Sequence, residues 1–171
     1  MLFKAPSAFL VGFAPLNRFS SNSSNMKSQT SQPYKFRQPK GFDFLSFRLS
    51  KDAVRLLGGI TANDEGAEFS NLTLFQDLLA RMSFHPSEGS GFRRPLSIQP
   101  GQVQYSEPRL QQEWGIGRSR IRTLLGRMEE AGLILTSRTS VGSVMSFPSV
   151  TGWKLPGRAY AVNPLYAAET T

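Results

Sequence analysis

The segment GRSRIRTLLGRMEEAG, residues 117 to 132, combines arginine and hydroxyl side chains with an apolar repeat. The repeat has the three- and four-residue spacing of a helix with one buried face, and it consists of Ile121, Leu124, Leu125 and Met128. The opposite face presents Ser119, Arg122 and Thr123. Arginine donates two hydrogen bonds to guanine, and serine or threonine reaches bases or phosphates, so this face suits the major groove of DNA.

The sequence on either side of this helix predicts how it is positioned. Before it, Ser106 is a favourable cap for a short helix that buries Leu110 and Trp114, and Gly-Ile-Gly forms a turn. After it, Gly132 ends the helix, and residues 133 to 163 alternate apolar and polar side chains as a β-hairpin does. This order predicts a winged helix-turn-helix, an α+β fold with a helical core and a C-terminal β-hairpin wing.

Two further elements are predicted upstream of this helix pair. A helix that begins near Asn71 has one apolar stripe, which consists of Leu72, Phe75, Leu78, Leu79 and Met82. Two short β-like runs flank Pro100 and Gly101, and because Pro-Gly is a turn signal we expect a hairpin there.

The chain divides into three predicted regions. Residues 1 to 41 include a long stretch rich in Ser, Asn, Gln, Pro and Lys, which predicts a disordered basic N-terminal arm. Residues 42 to 69 contain a short strand and a helix capped by Ser50, which pack on the core. Residues 70 to 165 form the predicted winged helix-turn-helix. Residues 1 to 25 are either a targeting segment or an extension upstream of a start at Met26.

Composition narrows the class of protein. The chain has 171 residues and a formal net charge of +8, which favours an anionic partner. Cysteine is absent and there is a single histidine, so disulfide frameworks, thiolate zinc sites and cysteine nucleophiles are excluded. We therefore expect no enzyme activity, no metal and no cofactor. No apolar run approaches the roughly 20 residues of a membrane-spanning helix, so we expect no integral membrane protein. For a chain that binds DNA we expect a cytoplasmic, nucleoid-associated location.

The run SIQPGQVQYSEPRLQQEWGIGRSRIRTLLGRMEEAGLI, preceded by FQDLLARMSF, resembles the winged-helix domain of phage and mobile-element replication proteins (replisome organisers) and related bacterial DNA-binding regulators. The turn Pro100, Gly101, Gln102 and the run from Ser119 to Arg122 carry the resemblance, which covers residues 70 to 163. It implies replication initiation or transcription control of a bacterial plasmid, phage or mobile element.

These observations predict a protein that binds double-stranded DNA in a sequence-specific way. The predicted DNA-binding residues are Ser119, Arg120, Arg122 and Thr123 on base edges, and Arg109, Arg118, Arg138, Lys154 and Arg158 on phosphates, with Arg127 flanking the same helix face. Further partners to consider are replication or transcription proteins and a second copy of this chain in a homodimer. The alternative is a winged-helix module that binds another protein through the same face and does not read DNA.

Overall fold

The structure of this chain is a computed structural model that describes residues 34–91 and 93–169. Within these residues, five helices and ten strands form a mixed α+β architecture. In chain order they are β1 (Phe44–Phe47), α1 (Lys51–Leu57), β2 (Ile60–Ala62), β3 (Glu68–Ser70), α2 (Asn71–Leu79), β4 (Ser87–Gly89), β5 (Leu96–Ile98), β6 (Gln102–Gln104), α3 (Glu107–Trp114), α4 (Arg118–Glu130), β7 (Leu135–Arg138), β8 (Ser143–Ser146), β9 (Val150–Lys154), β10 (Tyr160–Val162) and α5 (Pro164–Glu169).

Serine caps begin the first two helices. The Ser50 hydroxyl oxygen accepts a hydrogen bond from the N–H of Ala53 at 3.0 Å, and that of Ser70 accepts one from the N–H of Leu72 at 3.2 Å. Each cap provides a partner for an N–H that has none within the helix. The predicted cap at Ser50 and the predicted helix near Asn71 are confirmed.

Helices α3 and α4 are joined by a short turn whose glycines decide where each helix ends. Gly115 has a φ of 63°, the left-handed conformation that glycine adopts without a Cβ penalty, and it ends α3. Gly132 has a φ of 74° directly after the α4 C-cap, which confirms its predicted role. Ser106 precedes α3 as predicted, but its side chain makes no capping hydrogen bond.

Four small antiparallel sheets account for all ten strands of the described residues. Two of the sheets are hairpins, β2 with β3 and β4 with β5. The other two have three strands each, in the orders β6-β8-β7 and β1-β9-β10. Strand β1 therefore pairs with a strand more than a hundred residues further along the chain.

The predicted winged helix-turn-helix fold is wrong, because the described chain is richer in sheet than a helical core with one C-terminal wing. Residues 133 to 163 form four strands in two different sheets rather than one hairpin. The predicted hairpin at Pro100 and Gly101 is also wrong. Strands β5 and β6 do flank this turn, but β5 pairs with β4 and β6 pairs with β8.

The core is formed by the apolar faces of α1, α2, α3 and α4. The predicted stripe of α4 is buried, with exposures of 0% for Ile121, 3% for Leu124, 5% for Leu125 and 0% for Met128. Trp114 is buried as predicted, and Trp153 on β9 is also buried. Along α2 the stripe is also confirmed except at Leu72, which is 44% exposed. The buried face of this helix begins with Asn71 and Leu74 instead, and Leu72 lies off that face.

Residues 34 to 41, the end of the predicted disordered arm, contact this core. Tyr34 and Phe36 are partly buried against it, and the Phe36 ring packs edge-on against Phe69 with centroids 4.9 Å apart. The remainder of the predicted arm, residues 1 to 33, lies outside the described residues. The contacts of residues 34 to 41 therefore belong to the folded unit.

This arrangement predicts different stabilities for two truncated chains. A chain that begins at residue 42 loses the Phe36 packing and the hydrogen bonds of residues 34 to 37, whereas one that begins at residue 34 keeps them. We expect the shorter chain to have a free energy of unfolding lower by about 3 kcal/mol. This loss combines the buried surface of the Phe36 ring with the hydrogen bonds from Tyr34 and Arg37 to the Asp77 carboxylate. Urea denaturation of both chains checks this, and equal midpoints would contradict it.

Candidate functional site

Three arginines from two elements meet at one buried carboxylate. Glu107 is the first residue of α3, and only 7% of its side chain is exposed. Its Oε2 accepts hydrogen bonds from Nε of Arg118 at 3.1 Å and from Nε of Arg122 at 2.7 Å, and its Oε1 accepts one from Arg138 on β7. We call Arg118, Arg122 and Arg138 the arginine cluster.

The arginine cluster combines fixed geometry with excess positive charge. Burial opposes ionisation of Glu107, but hydrogen bonds from Arg122 and Arg118 outweigh it and hold the pKa of this carboxyl below its usual value. The carboxylate therefore stays charged and holds three guanidinium groups that are each more than half exposed. Because Arg118 and Arg122 use Nε for this contact, their terminal NH2 groups have no partner among the described residues.

A cavity of about 250 Å³ opens beside the cluster. It is lined by Tyr105, Ser106, Glu107, Pro108, Arg118, Arg138 and Ser143. The guanidinium groups of Arg118 and Arg138 and the hydroxyl groups of Ser106 and Ser143 lie in this lining, so the cavity offers hydrogen-bond donors to a small anionic group.

The first turns of α4 continue the exposed surface from the cluster. Ser119 and Thr123 are exposed, and the Thr123 hydroxyl donates to the Ser119 carbonyl at 3.1 Å. A Cβ built on Gly126, one turn further, would meet nothing within 4 Å. The fold therefore gives no packing reason for a glycine inside this helix, where it costs about 1 kcal/mol relative to alanine.

Arg120 is directed to a different part of the molecule. Its guanidinium donates to the carbonyls of Ala62 at 2.9 Å and Asn63 at 3.0 Å, and to Asp64 Oδ1 at 2.7 Å. The same Asp64 oxygen accepts the N–H of Gly117 at 3.0 Å. These bonds join the start of α4 to the turn between β2 and β3, so Arg120 has a structural contact that the sequence did not indicate.

The other predicted DNA-binding residues are spread over the surface. Arg109 pairs with Glu113 one turn along α3, and the side chain of Arg127 has no polar partner among the described residues. Lys154 pairs with Asp43 at 3.1 Å, and both Lys154 and Arg158 belong to β9 or the turn after it, in the β1-β9-β10 sheet. The structure thus brings together Arg118, Arg122 and Arg138, and it does not join Lys154 or Arg158 to them.

A second polar group, centred on Asp77, was not predicted from the sequence. Its carboxylate is fully buried on α2 and accepts hydrogen bonds from the Tyr34 hydroxyl at 2.9 Å, the Arg37 N–H at 2.7 Å, the Trp114 indole N–H at 3.0 Å and the Arg81 guanidinium. An acid among apolar residues on the buried side of α2, followed four residues later by an arginine, was the available signal.

These contacts determine the ionisation of the group. Burial raises the pKa of Asp77, but the Arg37 N–H, the Trp114 indole and Arg81 outweigh burial and hold the pKa below its usual value. Burial and the neighbouring Asp77 carboxylate raise the pKa of Tyr34 to about 12, so its hydroxyl stays protonated and donates.

The described residues contain neither a candidate metal site nor a candidate membrane span. No group of three or more His, Asp or Glu side chains there is arranged to hold a metal ion. None of the helices in this part of the chain is both long and apolar enough to cross a bilayer. Comparisons with protein-family models, with curated proteins and with solved structures found no match to this chain.

The Asp77 contacts predict a pH-dependent loss of stability in Asp77→Asn. Because the folded pKa of Asp77 is depressed, its ionisation stabilises the fold above the unfolded value of about 4, and this contribution is lost as the pH falls through the folded pKa. At pH 7 we expect Asp77→Asn to lower the free energy of unfolding by about 3 kcal/mol, the scale of breaking a buried ion pair. The difference from the native chain should narrow on acidification.

Urea denaturation at pH 7 and at pH 3 measures this difference. Asp52→Asn is the matched control, because the Asp52 side chain is 75% exposed and pairs with Arg55 within the same helix. We expect that control to change the free energy by less than about 1 kcal/mol. A loss in Asp77→Asn that was equal at both pH values would show that the carboxylate charge contributes nothing.

Proposed function

We propose that this protein binds double-stranded DNA in a sequence-dependent way through the exposed face of α4 and the arginine cluster. The observation that carries the proposal is the convergence of Arg118, Arg122 and Arg138 on buried Glu107, with guanidinium groups left open to solvent. We further propose a role in replication initiation or transcription control of a bacterial mobile element, as the resemblance of residues 70 to 163 implies. A DNA-binding role of this kind places the protein in the cytoplasm with the nucleoid.

The charge balance of the cluster supports an anionic ligand. Three guanidinium groups face one carboxylate, so a net positive charge remains at the surface. Anchoring each arginine on Glu107 restricts its rotamers before any ligand arrives, which lowers the entropy lost on binding. Phosphate oxygens accept the paired N–H groups of arginine with good geometry, so DNA backbone phosphates fit this surface.

The positions of the side chains suggest separate roles. Arg122, with the exposed Ser119 and Thr123, lies on the helix face that can enter a major groove, where side chains contact base edges. Arg118 begins α4 and Arg138 lies on β7, at the sides of this face, where phosphates pass. We assign Arg120 to holding the β2–β3 turn, because its guanidinium is already bonded there.

These roles predict different effects for two substitutions. On a duplex selected from a random pool, Arg122→Gln should lose about 1 to 3 kcal/mol of binding free energy, and on a scrambled duplex it should lose much less. Arg138→Gln should weaken both complexes alike and make the log-log salt dependence less steep by about 0.9. Fluorescence anisotropy at several salt concentrations measures both quantities.

The control for both variants is Arg48→Gln, which removes the same charge from an exposed position. Arg48 directly follows β1, and the sheet that contains β1 does not include β7. Equal losses on both duplexes for Arg122→Gln would remove its role in reading bases. Binding that did not respond to salt or to any of these substitutions would refute the proposal and favour a protein partner for this face.

Gly126 provides a test that does not change charge. Since the space around its Cβ position is open, Gly126→Ala should raise the free energy of unfolding by about 0.5 to 1 kcal/mol. If DNA approaches this part of α4 closely, the added methyl group should also weaken binding several-fold although the fold is more stable. Thermal melting and anisotropy of the same sample measure the two effects. Stabilisation with unchanged affinity would place the third turn of α4 away from DNA.

A further inference from the structure

A second cavity, of about 370 Å³, lies next to the arginine cluster. Its lining includes Arg37, Arg81, Tyr105, Ser106 and Arg109. Tyr105 and Ser106 also line the cavity beside Glu107, so these two residues form the wall between neighbouring cavities.

The second cavity repeats the arrangement found around Glu107. Glu113, near the end of α3, has a side chain that is only 15% exposed. Its Oε1 accepts Nε of Arg109 at 2.9 Å and Nη2 of Arg37 at 3.5 Å, and its Oε2 accepts Nη2 of Arg81 at 2.6 Å. A carboxylate with little exposure thus again holds three arginines beside a polar cavity.

The three arginines differ in how much of each remains accessible. Arg81 is 10% exposed and also pairs with buried Asp77, so it serves the fold. Arg37 and Arg109 are 41% and 63% exposed, and Arg109 uses only Nε on Glu113, which leaves its terminal NH2 groups without a partner among the described residues. The accessible guanidinium groups are therefore those of Arg37 and Arg109, while the Glu113 and Asp77 carboxylates are much less exposed.

We propose that Arg37 and Arg109 form a second phosphate site, so that one backbone of the bound nucleic acid passes over Tyr105 and Ser106 between the two cavities. This inference rests on the DNA binding proposed above. Two cationic sites that share a wall fit the regularly repeated phosphates of a nucleic-acid strand better than a single free anion.

In this proposal residues 34 to 37, which precede β1, also contribute to binding. The Arg37 N–H donates to Asp77 at 2.7 Å, and the Tyr34 hydroxyl donates to the same oxygen at 2.9 Å. These two bonds fix the backbone that carries the Arg37 side chain to the cavity. Residues 34 to 37 then connect the buried core with the DNA-facing surface.

The test uses the full chain with the double substitution Arg37→Gln and Arg109→Gln. Both changes spare the core, because the Arg37 backbone N–H still reaches Asp77 and Glu113 keeps Arg81. We expect the melting temperature to change little. On fluorescent duplexes, the log-log salt dependence should become less steep by about 0.9 for each phosphate that the variant no longer neutralises, equally for selected and scrambled sequences.

The matched control is the double substitution Arg48→Gln and Lys51→Gln, which removes two charges from exposed positions that line neither cavity. If the native chain shows salt-dependent binding that the Arg37 and Arg109 variant keeps unchanged, the second site is refuted and the proposed function stands. An equal change in the control variant would also refute it, because the effect would be general charge. A native chain without salt-dependent DNA binding would overturn both proposals together.

Discussion

The carboxylate of Asp77 is the group on which the rest of the described structure depends. It is fully buried and accepts hydrogen bonds from Tyr34 and Arg37 before β1, from Arg81 just after α2 and from Trp114 at the end of α3. A buried charge is costly unless donors surround it, so the fold is most stable when all of these segments meet at Asp77. One side chain thus fixes the position of α3 against α2 and of residues 34 to 37 against both.

Helix α3 connects the buried Asp77 carboxylate with the arginines at the surface. In its last turn, Trp114 donates a hydrogen bond to Asp77. Glu113 in the same turn forms ion pairs with Arg37, Arg81 and Arg109. Glu107 at the start of the helix forms ion pairs with Arg118, Arg122 and Arg138. The two carboxylates lie at opposite ends of one short helix, so the two groups of arginines have a fixed separation. Fixed separation matters for a charged polymer, because its phosphates repeat at a fixed interval.

The helices were predictable because their signals are local. Apolar residues at three- and four-residue spacing predicted the buried face of α4, and a serine cap and a left-handed glycine predicted where α1 begins and α4 ends. The strand partners were not predictable in this way. Residues flanking Pro100 and Gly101 did form strands, but alternation along a strand does not specify which strand lies beside it. The predicted wing failed for the same reason, since β9 pairs with β1.

The sequence by itself determined the positions of α1 to α4, most of their apolar stripes and the arginine-rich, acid-poor face at the start of α4, because each depends on residues within a few turns of one another. Only the tertiary structure decided which arginines act together. It joined Arg138 to Arg118 and Arg122 through Glu107, directed Arg120 to Asp64, and kept Lys154 and Arg158 in another sheet. The physical reason is that a guanidinium is oriented by the carboxylate that lies near it in the folded chain. Sequence spacing does not show which distant residues become neighbours.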